Sequence, residues 1–130
     1  MKKPILSALI LFTIVLTGAA QSQNISVHDP VMIRQDGSYY VFCTGNGISM
    51  FSSPDMVNWK QEKPVFSSAP GWVIKELPRF RNSMWAPDIS FYKGSYYLFY
   101  SVSAFGRNTS CIGLATVSYT HLTLPTIYSV

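Results

Sequence analysis

Two acids stand beside prolines and ahead of runs that alternate like β-strands: Asp29, before Pro30, and Asp88, after Pro87. The segments they open resemble each other. Asp29-Pro-Val-Met-Ile-Arg-Gln-Asp-Gly-Ser-Tyr-Tyr-Val-Phe runs acid, short strand, Gly-Ser turn, aromatic strand, and Asp88-Ile-Ser-Phe-Tyr-Lys-Gly-Ser-Tyr-Tyr-Leu-Phe does the same. Gly37-Ser38-Tyr39-Tyr40 recurs as Gly94-Ser95-Tyr96-Tyr97, 57 positions later, and the second copy is two residues shorter between acid and turn. A repeat of roughly 50 residues built from short strands suggests propeller blades, whose first strands line a common axis. Both acids would then point into one funnel from neighbouring blades. The alternative is that each bonds its own backbone as a turn or strand-start residue. Matched positions in apolar settings favour a paired functional role. The 8 Tyr, 8 Phe and 3 Trp suit such a funnel. Aromatic rings favour strands and stack on the apolar faces of sugars.

The elements that must position these acids read as β throughout. Strands are expected over Val31–Arg34, Tyr39–Thr44, Ile48–Ser52, Ile89–Tyr92, Tyr96–Val102 and Ile112–Ala115. Turn signals at Gln35-Asp36-Gly37, Gly45-Asn46-Gly47, Ser53-Pro54-Asp55 and Lys93-Gly94-Ser95 separate them. Asp55 and Trp59 read as structural, and no helical period stands out. Residues 1–20 read as a secretory signal peptide: basic Met1–Lys3, an apolar run from Ile5 to Leu16 too short to span a bilayer comfortably, then Gly18-Ala19-Ala20. A secreted or periplasmic protein follows, with no membrane contact after cleavage. The net charge of +4 includes Lys2 and Lys3, so without them it is +2, which gives nucleic acid little reason to be a partner. Cys43 and Cys111 fit no metal-ligand spacing; export would permit them to pair, but cysteines in separate strands are more often buried small hydrophobes.

Several segments, taken in order, resemble the opening of the glycoside hydrolase family 43 enzymes. They are His28-Asp29-Pro30, Ser52-Ser53-Pro54-Asp55-Met56-Val57-Asn58-Trp59 and Trp85-Ala86-Pro87-Asp88-Ile89. Tyr100 to Thr116 is most similar to the endo-1,5-α-L-arabinanase branch. The resemblance covers Val27 to Thr116 and implies an all-β fold, the N-terminal part (about two blades) of a five-bladed β-propeller. It implies Asp29 as general base and Asp88 as the carboxylate that orients and tunes the general acid. An inverting glycosidase separates base and acid by about 6.5–9.5 Å to admit water, and a third carboxylate raises the acid's pKa by repulsion. An aromatic funnel of low dielectric would suit that work. His28 is expected to contact substrate or orient the base, Trp85 to stack on arabinose or pack between blades, and Phe105 to line the cleft or pack its loop.

The family's acid is a Glu in a later blade, whereas the only glutamates here, Glu62 and Glu76, precede the Trp-Ala-Pro-Asp motif. Residues 21–116 therefore read as part of a propeller. Residues 117–130 read as a non-native tail, because Val117–Thr126 matches the translation of a sequencing adapter. The chain by itself is expected to be inactive. The expected parent is a secreted, monomeric, inverting glycosidase acting on α-1,5-linked arabinan. An exo-acting β-xylosidase or α-L-arabinofuranosidase and a non-catalytic carbohydrate-binding propeller are the alternatives. No cofactor is expected in this segment, and a calcium ion on the propeller axis of the parent would draw its ligands largely from other blades.

Overall fold

Two turns set the register of everything that follows. Asp36-Gly37 and Lys93-Gly94 each place two successive residues at positive φ, at 48° and 84° and at 47° and 78°. That is the two-residue hairpin connection whose twist matches the flanking strands. The computed structural model describes residues 24–104 and 106–118. The expected signal peptide, Phe105 and residues 119–130 lie outside the described residues.

In chain order the elements are β1 (Val31–Gln35), β2 (Ser38–Cys43), β3 (Gly45–Asn46), β4 (Ser49–Ser53), β5 (Lys60–Gln61), α1 (Gly71–Glu76), β6 (Ser83–Tyr92), β7 (Ser95–Ser103) and β8 (Ser110–Ser118). They form two antiparallel four-stranded sheets, ordered β1-β2-β4-β5 and β3-β6-β7-β8. The sheets are the two expected blades. The hairpins close at Gln35↔Ser38 and Tyr92↔Ser95.

Four differences from the expected elements have physical causes. β6 starts at Ser83 rather than Ile89 and runs through Pro87, because a register break absorbs the proline. β3 crosses to the second sheet, pairing Gly45 with Met84 and Asn46 with Ser83, so an expected turn is a short inter-blade strand. β8 extends to Ser118, pairing Val117 with Tyr96 and Ser118 with Ser95, two residues past the expected blade boundary. The short α1 was not expected, because six residues hold too little sequence to show a period. It starts after Pro70, whose carbonyl accepts from Val73 N–H at 2.9 Å. Val73 and Leu77 seal it to the core, so packing rather than propensity holds it.

The core lies between the sheets and under α1. Ile48, Val73, Met84 and Val102 are fully buried, and Phe42 and Tyr100 nearly so. Each such side chain stabilises the fold by about 1.5–3 kcal/mol relative to exposure. The Phe66 and Tyr100 rings meet at 4.8 Å and 51°, inside the range for favourable tilted pairs. Gly47 is the tightest joint. It donates to Asn82 O at 2.9 Å and accepts from Phe66 N–H at 2.9 Å, while φ is 73°.

The Ser53–Asn58 turn is organised by one carboxylate. Asp55 accepts from the Asn58 amide at 2.8 Å, the Asn58 side chain at 2.7 Å, the Val57 amide at 2.9 Å and the Ser53 hydroxyl at 3.0 Å. The Asn58 bonds, more than the others, hold it far below the usual carboxylate range. Its affinity for a proton is therefore lower folded than unfolded. The turn's contribution is full above the unfolded value of about 3.9 and fades as pH falls through the lower folded value. Melting temperature is expected to fall on acidification below about pH 4, less steeply in Asp55→Asn. Gly47→Ala is expected to lower stability by about 3 kcal/mol or more in urea titrations. The added methyl would meet the Phe66 carbonyl at a backbone angle alanine resists.

Candidate active site

Proline cannot donate to a strand ladder, so within a sheet it sits at an edge or a bulge. Pro30 and Pro87 meet this constraint in the same way. Aligned on the two hairpin turns, His28-Asp29-Pro30-Val31 falls on Trp85-Ala86-Pro87-Asp88, each pair 57 positions apart. In the second blade Trp85 pairs with Ser101 and Asp88 with Phe99, a loss of register across Ala86-Pro87. In the first, Val31 pairs with Phe42 while Thr44 N–H donates to His28 O at 3.0 Å. That is the same break. The residue before each proline has positive φ, 49° at Asp29 and 43° at Ala86. Such a backbone costs about 1–3 kcal/mol in a non-glycine residue and persists where its surroundings fix it.

This alignment corrects the expected pairing of the acids. They do not occupy matched positions. Asp29 stands in the kink before its proline, and its counterpart is Ala86. Asp88 follows its proline inside β6, opposite Phe99, and its counterpart is Val31. The two-residue difference in spacing seen in the sequence is this offset.

The Asp29 carboxylate is held at one oxygen. Oδ2 accepts from Thr44 Oγ1 at 2.8 Å, and His28 Nδ1 lies 2.8 Å from the same oxygen, an ion pair when the imidazole is protonated. Thr44 Oγ1 in turn accepts from Ala86 N–H at 2.9 Å. One hydroxyl thus joins the acid of the first blade to the bulge of the second, two residues before Asp88. Thr44 was not among the expected site residues. Its signal in the sequence is a hydroxyl at a repeated position, since Ser101 follows Gly94 at the spacing by which Thr44 follows Gly37.

Within the described residues both acids face water. The His28 side chain is 76% exposed and that of Asp29 41%, and Asp88 is exposed. Asp88 lies between buried Pro87 and Ile89 but is itself exposed, so the described residues leave both acids in contact with water. Trp85 is partly buried beside the bulge, and Phe105 lies outside the described residues. Beneath His28, Cys43 is buried, and burial raises its thiol pKa against a smaller opposing backbone bond from His28. Cys43 and Cys111 are both free thiols. Glu62 is occupied by Lys60 at 2.9 Å and Ser52 at 2.7 Å, which lower its pKa in that order. A cavity of about 620 Å³ lined by Pro78, Arg79, Phe80, Arg81, Ser83 and Ser103 opens at the bulge end of the second blade. Among the described residues no group of three or more His, Cys, Asp or Glu could hold a metal ion. His28 and Asp29 together fall short of the roughly six to eight oxygens calcium takes.

The model of Glycosyl hydrolases family 43 matches residues 23–120. The chain is 48% identical over 109 residues to the extracellular exo-α-(1→5)-L-arabinofuranosidase ArbA of Cellvibrio japonicus, covering 84% of this chain and 31% of that protein. It is 38% identical over 121 residues to the extracellular endo-α-(1→5)-L-arabinanase 1 of Bacillus subtilis, covering 85% and 38%. Among solved structures, the α-L-arabinanase of Cellvibrio cellulosa superposes with a TM-score of 0.67 at 48% identity, covering 72% of this chain and 30% of that one. The native Bacillus subtilis arabinanase Arb43A superposes with a TM-score of 0.69 at 40% identity, covering 75% and 35%. The chain thus spans 31% and 38% of the two curated relatives, and its two sheets are part of a five-bladed β-propeller.

The free thiols provide a check on the site's floor. Ellman's reagent at pH 8 is expected to label Cys111 quickly and Cys43 only on unfolding, because a buried thiol held protonated is a poor nucleophile. Equal rates in the native chain would place Cys43 elsewhere.

Proposed function

The chain belongs to Glycosyl hydrolases family 43, and from that membership we propose that the protein carrying this segment hydrolyses α-1,5-linked L-arabinan with inversion. Asp29 acts as general base. Its Oδ2 is occupied by His28 and Thr44, and the held carboxylate removes a proton from the attacking water. Asp88, in β6 just after the bulge, orients the general acid and raises its pKa by repulsion. The acid is a glutamate elsewhere in the protein. Glu62 is bonded within its own blade, and Glu76 lies on α1. His28 and Trp85 contact the sugar, and Phe105 lines the cleft. The relatives named as extracellular, together with the sequence of residues 1–20, support export.

The observation that carries this reading is the fixed Asp29 carboxylate, one hydroxyl away from the bulge that precedes Asp88. A second reading has its own support. A relative named for exo action shares 48% identity, and one named for endo action shares 47%. Exo release of arabinose units therefore stands beside internal cleavage, and loops that close one end of the cleft decide between them.

The test is digestion of linear arabinan by the full-length protein, with products sized by chromatography and their anomeric form read by NMR. Inverted products are expected, arabinose alone for exo action and a ladder of oligomers for endo. Asp29→Ala is expected to lower kcat by about 10²–10⁴-fold. Retained configuration, or an Asp29→Ala enzyme as fast as the parent, would overturn the assignment.

A further inference from the structure

We propose that Thr44 is a positioning residue for the reaction: it fixes which oxygen of Asp29 faces the attacking water and ties that carboxylate to the strand bearing Asp88. The proposal rests on the reading of Asp29 as general base. A threonine hydroxyl has one proton and two lone pairs. The Ala86 N–H can only donate, so at 2.9 Å the hydroxyl must accept from it. The hydroxyl's own proton is then left for Asp29 Oδ2, 2.8 Å away. An amide that cannot reverse its role therefore sets the direction of the whole relay.

His28 Nδ1 reaches the same oxygen at 2.8 Å. Oδ2 thus carries the hydroxyl bond and the imidazole contact, and among the described residues Oδ1 carries no hydrogen bond. Oδ1 is the oxygen left to take the proton from water. Both contacts come from residues whose main chains pair with each other, since Thr44 N–H is bonded to His28 O at 3.0 Å. Thr44 also stands where the chain leaves the first sheet, because the next residue, Gly45, opens β3 and pairs with Met84 in the second. A shift of the second blade would move Ala86 N–H, and with it the hydroxyl and the carboxylate. Thr44 therefore keeps base and orienting acid in a fixed relation, acting through Asp29 and Ala86.

A purely structural tie between blades would hold the same atoms together, so the test separates the two roles. Thr44→Val removes the hydroxyl at nearly constant shape, and Thr44→Ser restores it. Both are compared with the parent in the full-length protein on linear arabinan, well below each melting temperature and with folding checked by circular dichroism. Thr44→Val is expected to lower kcat by roughly ten- to a hundredfold, with KM within about twofold of the parent because only the reacting geometry is disturbed. Thr44→Ser is expected to recover kcat to within about threefold. A folded Thr44→Val enzyme with the parent's kcat, or losses that appear only in KM, would overturn the proposal. If the valine variant does not fold, the serine variant still decides, since a folded serine enzyme about tenfold or more impaired would overturn it as well. A parent protein that leaves arabinan intact would instead sink the reading of Asp29, a failure visible before any variant is made.

Discussion

A one-residue slip in strand register, beginning at the residue before a proline, is the constraint on which the described structure depends. Proline has no N–H to give to a neighbouring strand, and each blade meets the deficit in the same way. The chain kinks, the residue before the proline takes a positive φ, and pairing resumes one step out of phase. The slip lets β6 pass through Pro87 without ending. It presents the Ala86 N–H sideways, away from the ladder, where a side chain from the other blade can accept it. In the first blade the same kink lifts Asp29 out of the strand and turns its carboxylate to Thr44.

The two blades use the same backbone device differently. In the first, the kink itself holds the acid, and the position after the proline is Val31, part of the apolar packing. In the second, the kink holds alanine, and the acid takes the position after the proline. Duplication alone would have produced two equivalent carboxylates. The offset gives two inequivalent ones, one clamped by a hydroxyl and an imidazole, the other exposed on a strand. Inequivalent acids suit a reaction that needs one group to take a proton and another to influence a proton donor.

Much of this was legible in the residues. The hairpin turns were written as Asp-Gly and Lys-Gly, and six of the eight strands followed from alternation between turn signals. β3 and β5, two residues each, fell below the length at which alternation can be seen. α1 was hidden for a similar reason. The matched-acid reading failed at a definite point. It aligned the copies on their most chemically conspicuous residues, whereas the backbone aligns them on their prolines and turns. Thr44 was passed over because a hydroxyl at the end of an aromatic strand carries no chemistry by itself. Its role depends on Ala86, 42 residues away, and no local pattern reports that contact.

β3 has a consequence for how such a protein can be taken apart. Residues Gly45–Asn46 belong by sequence to the first blade and by hydrogen bonding to the second. The blade is therefore not the unit that can be moved between relatives. A crossover drawn at the natural seam, between β5 and β6, would give the incoming second blade an inner-edge strand inherited from another lineage. Exchange of blades stays silent only where that borrowed pair and the residues facing it travel together. The boundary of heredity in this fold runs through a loop of the first blade rather than between the blades.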